Sequence, residues 1–75
     1  MKQTLIDIIK AIVDNPDEVI VIEKVSGDTS ILEISVAKDD VGKIIGRGGK
    51  IAKSIRTLMK AAAVKERKRV IVDIL

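Results

Sequence analysis

The chain contains no phenylalanine, tryptophan or tyrosine, no histidine, no cysteine and a single proline. Each absence removes a class of structure or chemistry. Without aromatic residues, a 75-residue domain has to bury valine, isoleucine and leucine, so its core is small and its stability modest. Without cysteine there are no disulfides and no thiolate metal sites, a composition compatible with a reducing compartment. Without histidine the commonest general base and metal ligand is missing. Charges interrupt the apolar residues throughout, so no run approaches the roughly 18 residues of a membrane span. The amphipathic opening Met1–Val13 carries Asp7, which does not suit the uninterrupted apolar segment of a secretory signal. These features predict a soluble cytoplasmic protein with no membrane insertion.

What is present is unevenly spread. Residues 1–37 hold three cations against seven acids, a net charge of −4, whereas residues 38–75 hold eleven cations against four acids, a net charge of +7. The overall +3 therefore conceals one half built to meet negative charge.

The periodicity predicts six elements. From Gln3 to Asn15, Leu5, Ile8, Ile9, Ile12 and Val13 share one arc of a helical wheel, opposite Asp7, Lys10 and Asp14. Pro16 and the surrounding DNPD end that helix. EVIVIEKV and SILEISVA, separated at Ser26–Asp28, read as an antiparallel hairpin, with Leu32, Ile34 and Val36 inward and Glu33 and Ser35 outward. Asp39 and Asp40 resemble a carboxylate pair, but their place before Val41–Ile45 predicts a helix N-cap. A longer helix is expected from about Gly48 to Val64, burying Ile51, Ile55, Leu58, Met59 and Ala62, with Lys50, Lys53, Arg56 and Lys60 as a stripe along another face. RVIVDIL closes the chain as a strand. Two helices between the second and last strands predict parallel pairing of those strands. The expected architecture is α+β, order α-β-β-α-α-β, with a three-stranded mixed sheet and all helices on one face, in a single domain over residues 1–75.

Between the two later helices stands IIGRGGKI, residues 44–51. A Walker loop anchored on Gly49 and Lys50 needs glycine at 44 and a hydroxyl at 51, and both positions are isoleucine. A dinucleotide fingerprint anchored on Gly46 and Gly48 needs Gly or Ala at 51 and a strand before the loop, and neither is present. Gly-x-x-Gly between two helices is what is left. Glycines allow positive φ and remove Cβ atoms, so a sugar-phosphate backbone can lie against main-chain N–H groups. Arg47 and Lys50 add full charges beside the helix start.

The stretch VGKIIGRGGKIAKSIR resembles the KH-domain signature Val-Ile-Gly-x-x-Gly-x-x-Ile, with Ile45 at the aliphatic position before the first glycine. The element order, with its additional helix and strand at the N-terminus, is similar to the bacterial type II arrangement. In size and layout the whole chain resembles the small bacterial KhpA family, stand-alone KH proteins that bind RNA and pair with themselves or with a larger KH-containing partner, KhpB. The resemblance implies a single-stranded RNA-binding protein that clamps about four nucleotides of backbone. It also implies an RNA chaperone or post-transcriptional regulator linked to bacterial growth, cell envelope or division. Carried over by motif, the clamp is Gly46, Arg47, Gly48 and Gly49, flanked by Lys43, Lys50 and Lys53, while Val41, Ile44, Ile45 and Ile51 belong to the apolar groove floor or to the core below it. Gly48 departs from the family, which often has a basic or polar residue there. The turn Ser26–Asp28, matched to the family's variable loop, is short.

The missing aromatics discriminate among nucleic-acid modules, since RRM and single-strand-binding OB folds stack bases on Phe, Tyr or Trp. Lost stacking, worth about 1 to 3 kcal/mol per base, predicts weak binding by one domain and favours avidity through a partner. Blander readings accompany each feature: a glycine helix-to-helix turn, a solvated basic face, a soluble KERKR connection at 65–69, and Leu58 and Met59 as core or dimer surface. A protein-interaction adaptor keeping the KH fold is the alternative function. An enzyme is not expected, because no histidine, cysteine, nucleotide loop or acid cluster supplies a catalytic constellation, and neither a metal nor a cofactor is implied.

Overall fold

The computed structural model describes all residues from Met1 to Leu75. Helix α1 spans Lys2–Ile12 and ends where Val13 turns extended at φ −82°, ψ 159°. A 3-10 turn at Pro16–Glu18 then leads into β1, Ile20–Ser26, and β2, Thr29–Ser35. The hairpin closes tightly, with Ser26 paired to Thr29 and Gly27 at φ 60° between them. A second 3-10 turn, Lys38–Asp40, precedes the short helix α2, Val41–Ile45, and a third, Arg47–Gly49, precedes α3, Lys50–Lys65. Strand β3, Arg69–Ile74, pairs parallel to β2, while β1 pairs antiparallel on its other side, so β2 is the central strand. The mixed three-stranded sheet and the element order are those expected from periodicity and crossover length.

Alternation along the strands sorts the two faces. Val21, Leu32, Ile34 and Val72 are buried with Leu5, Ile9, Val13, Ile44, Ile55 and Met59 in one aliphatic cluster. On the opposite face Ile20, Ile22 and Ile71 remain about half exposed, at 57%, 49% and 49%. Full burial of each Leu or Ile contributes about 1.5 to 3 kcal/mol, and few residues are available to do it.

Two expectations are corrected here. The buried stripe of α3 is Ala52, Ile55, Met59 and Ala63, whereas Ile51 and Leu58 are exposed at 37% and 56% and Ala62 is half-buried. Two of the four buried positions are therefore alanines, and larger apolar side chains of the helix lie outside the core. The helix also starts at Lys50 rather than near Gly48, because the glycines form a separate turn. The second correction concerns Asp40, which occupies the N-cap position of α2 without making a side-chain cap bond. Its own backbone is already helical, at φ −95° and ψ −12°, within a 3-10 turn.

Asp40 is instead fully buried and joins two elements. Its carboxylate accepts from the Asp14 N–H at 3.1 Å, the Asn15 N–H at 3.0 Å and Asn15 Nδ2 at 3.0 Å. Lys43 Nζ approaches the same carboxylate at 3.4 Å and also donates to Asp14 Oδ2. The chain leaving α1 is thereby fastened to α2, the arm that carries the glycine loop.

Candidate nucleic-acid interface

The loop between α2 and α3 is built from left-handed backbone. Gly46 has φ 76°, Gly48 φ 63° and Gly49 φ 76°, a region that side chains seldom enter. Gly46 is required on steric grounds as well, because a Cβ there would lie 2.6 Å from Ile51 Cγ1 and 2.9 Å from the Ile51 nitrogen. Around Gly48 and Gly49 the space is open, so nothing in the chain fills the room their missing side chains leave.

Hydrogen bonds shape what the loop presents. The Gly46 N–H donates to the Gly42 carbonyl at 2.9 Å, and the Gly49 N–H to the Gly46 carbonyl at 3.2 Å, and the Lys50 N–H to the Arg47 carbonyl. The amide at the very start of α3 is therefore spent within the turn. None of the chain's turn and capping hydrogen bonds uses the N–H of Arg47 or Gly48. They are successive donors, and Gly48 of the two has positive φ, an arrangement of the kind in which backbone N–H groups can meet an anion.

Beside the loop lies an open groove of 450 Å³. Val41 and Ile45 of α2, Gly49, Ala52 and Arg56 along the loop and α3, and Ile74 and Leu75 at the end of β3 line it. The lining is largely aliphatic. Arg56 is held at the groove by donating from Nε to the Val72 carbonyl at 3.2 Å, which also covers part of the free edge of β3.

The residues singled out from sequence separate into five groups. Gly46, Arg47, Gly48 and Gly49 form the loop, with Lys50 exposed on its α3 side. Ile45 and Val41 line the groove, whereas Ile44 is fully buried in the core and unavailable to any ligand. Ile51 supports Gly46 and is absent from the groove lining, as is the exposed Lys53. Lys43 is committed to Asp14 and Asp40. Sequence reasoning missed Ala52, Ile74 and Leu75 as groove residues, and saw Arg56 only as part of a stripe. The hairpin turn also lies away from this groove: the Asp28 carbonyl accepts from the Arg69 N–H at 2.9 Å, at the opposite end of β3 from Ile74 and Leu75.

Electrostatics reinforce the assignment of Lys43. Burial alone would raise the Asp40 pKa, but the Asp14 N–H, the two Asn15 donors and Lys43 outweigh it and hold the carboxyl below its ordinary value. The Asp14 hydrogen bond, helped by Asp40 and opposed by partial desolvation, raises the Lys43 pKa. No group of three or more acidic residues comes together to hold a metal ion, and no helix is long and apolar enough to cross a membrane.

A model of the KhpA/KhpB KH domain matches residues 2–74. The chain belongs to this family. An RNA-binding protein KhpA from Clostridium acetobutylicum is 57% identical over 75 residues, covering 100% of both chains. The RNA-binding protein KhpA of Caldanaerobacter subterraneus subsp. tengcongensis is 57% identical over 68 residues, 91% of each chain. That of Chlamydia pneumoniae is 47% identical over 75 residues, 100% of this chain and 96% of its own. No solved structure gives a significant match. The helix-loop-helix over Val41–Lys65 lies within the matched residues, and the groove runs between it and the end of β3.

Proposed function

We propose that the protein binds single-stranded RNA, holding the sugar-phosphate backbone against the Gly46–Gly49 loop while bases lie over the aliphatic groove. The observation that carries this reading is the pair of successive N–H groups at Arg47 and Gly48, which the turn and capping hydrogen bonds leave out, with positive φ and open space at Gly48, beside that groove. The Arg47 and Lys50 side chains add charge at the phosphate path, and Arg56 adds it inside the groove. With no aromatic ring to stack on, affinity comes mainly from backbone contacts and is steeply salt-dependent. The names of the KhpA relatives agree with an RNA ligand.

The cellular side of the proposal is a cytoplasmic RNA chaperone or post-transcriptional regulator acting with a KH-containing partner, linked to bacterial growth, envelope or division. Pairing with a second copy or a larger KhpB-like protein would supply avidity. Leu58 and Val64, exposed at 56% and 67% on α3, support such pairing, and they also favour the second reading of an adaptor with little direct RNA binding.

The double variant Arg47→Asp with Gly48→Asp separates the two readings. Aspartate tolerates left-handed backbone better than most residues, so circular dichroism and oligomeric state should match the parent. RNA binding should be abolished, because two carboxylates then occupy the phosphate path. Unchanged RNA binding at matched salt would overturn the clamp and leave the adaptor.

A further inference from the structure

The sheet ends in two free edges, and only one of them is covered. At β3, Arg56 Nε donates to the outward Val72 carbonyl at 3.2 Å. The other bonds between side chains and backbone reach Asp14, Asn15, Lys50 and Lys53, and none reaches β1. β1 also lacks most of the usual guards of an edge: it pairs with β2 without a bulge, it contains no proline, and Lys24 is drawn onto the sheet by its ion pair with Glu33 at 3.3 Å.

The register identifies the groups left open. The Leu75 N–H donates to the Ile34 carbonyl and the Arg69 N–H to the Asp28 carbonyl, both at 2.9 Å, so even-numbered residues of β2 bond to β3 and odd-numbered ones to β1. The partners of those odd-numbered residues are Ile20, Ile22, Lys24 and Ser26. Val21, Glu23 and Val25 therefore direct their N–H and C=O groups away from the sheet. Aliphatic side chains flank this open edge on both faces, with Ile20 and Ile22 on the outer face and Val25, 68% exposed, on the face that the helices cover. Half-buried Val19 stands just before the strand.

We infer that β1 pairs antiparallel with β1 of a second copy of this chain, joining two three-stranded sheets into one. Charge selects the register. Two-fold pairings that overlap most of β1 are centred on Ile22, Glu23 or Lys24. Centring on Glu23 or Lys24 sets that charge directly against its own copy, which destabilises the pair. Centring on Ile22 sets Ile22 against Ile22, Ile20 against Lys24, Val21 against Glu23 and the exposed Val25 against Val19, so no like charges face each other. This contact requires neither the clamp nor pairing through α3. In the resulting order β3-β2-β1-β1-β2-β3 the two candidate grooves lie at the outer edges of the joined sheet, roughly 24 Å apart at ~4.8 Å per strand, and both stay open. One strand pair is a small contact, so the dimer is weak and concentration-dependent.

The chain has no cysteine, so single substitutions report the register directly. Residues facing each other on the axis stand about 4.5 Å apart at Cα, within reach of a disulfide, whereas diagonal neighbours stand about 7 to 8 Å apart. Under mild oxidant Ile22→Cys should cross-link to its copy in most molecules, and Glu23→Cys and Lys24→Cys several-fold less. Sedimentation of the parent should show a dimer that grows with concentration, and hydrogen exchange at the Val21, Glu23 and Val25 amides should slow in step. Ile22→Lys sets like charges on the axis, and Glu23→Pro removes an outward N–H without touching the ladder to β2. Both variants should be monomeric with the parent's circular dichroism. Leu58→Lys, on α3, should leave the Ile22→Cys cross-link in place.

A parent that stays monomeric, with no cross-link at any of the three positions, overturns the pairing and leaves the edge to a different occupant. Cross-linking chiefly through Glu23→Cys or Lys24→Cys overturns it by its register, and equal cross-linking at all three positions reduces it to chance collision. If Leu58→Lys abolishes both the dimer and the Ile22→Cys cross-link, the copies meet through α3 and the edge contact is wrong. Should Glu23→Pro fail to fold, Ile22→Lys still decides, because its side chain lies on the exposed face, and a dimer that survives it overturns the pairing.

Discussion

Both ends of α3 are left-handed and cationic, yet they are made differently. At the N-terminal end three glycines at φ 76°, 63° and 76° carry the loop. At the C-terminal end a single arginine, Arg67 at φ 56°, does the same backbone work. The second turn only reverses the chain, and its N–H groups fold inward onto Ala63 and Val64. There the left-handed cost of a side chain, about 1 to 2 kcal/mol, is tolerable. The first turn leaves the Arg47 and Gly48 N–H groups out of its turn hydrogen bonds and has open space where side chains at Gly48 and Gly49 would stand. On the proposed clamp reading, Gly48 and Gly49 stand where a ligand would come close, whereas Gly46 answers to packing against Ile51.

The largest expected effect tests the one glycine whose neighbours fill the space around it. Gly46→Ala puts a Cβ against Ile51 as well as into positive φ, so it should lower unfolding stability by about 3 kcal/mol, from overpacking and left-handed strain together. Gly48→Ala meets open space and suffers the backbone penalty alone, about 1 kcal/mol. Urea unfolding of both variants measures the gap between them. Equal losses would mean that Ile51 yields freely and that the loop's two glycine roles are one.

Next is the anchor that holds the loop's arm to α1. Asp40→Asn replaces an acceptor of three nitrogen donors with an amide that must turn its own donor toward one of them, so the midpoint should fall clearly. The pH dependence identifies the cause. Asp40 has a lowered pKa, so its contribution is complete above the ordinary aspartate value of about 3.9 and is lost as pH falls through the folded-state value below it. Parent and variant should differ by a constant amount near neutrality and converge only in strong acid. Lys43, with a raised pKa, keeps its share at neutral pH and loses it only above the ordinary lysine value of about 10.4. A difference that disappears between pH 5 and 8 would contradict the assignment.

Why sequence reasoning reached the loop but not the whole groove follows from where the information lies. The glycines, the flanking cations and the element order are local, and period-2 and period-3.6 patterns specify sheet and helices without tertiary knowledge. Ile44 and Ile45 are adjacent and chemically identical, yet one is fully buried and the other lines the groove. Only the packing angle of α2 decides between them. Ile74 and Leu75 join the site through the parallel pairing of β3 with β2, a contact between residues about 40 positions apart that no local window contains. Asp40 misled for a related reason. An aspartate before a short helix is the ordinary sign of a cap, but its acceptors met donors from Asp14 and Asn15, which are distant in the chain.

The smallest effect bears most directly on the contrast between the two turns. Arg67→Gly relieves the left-handed strain but gives the unfolded chain more freedom, and the two terms nearly cancel, leaving a gain of about 0.5 kcal/mol. For a domain of this size that is a rise of roughly 2 to 4 °C in Tm, readable by calorimetry. Arg67 does not line the groove beside the glycine loop, so RNA binding should fall no more than loss of one peripheral charge allows. If the glycine variant were instead less stable, the arginine side chain would be contributing packing that offsets its strain. The two ends of α3 would then differ in what their side chains do, and tolerance of backbone strain would not be the reason one turn could do without glycine.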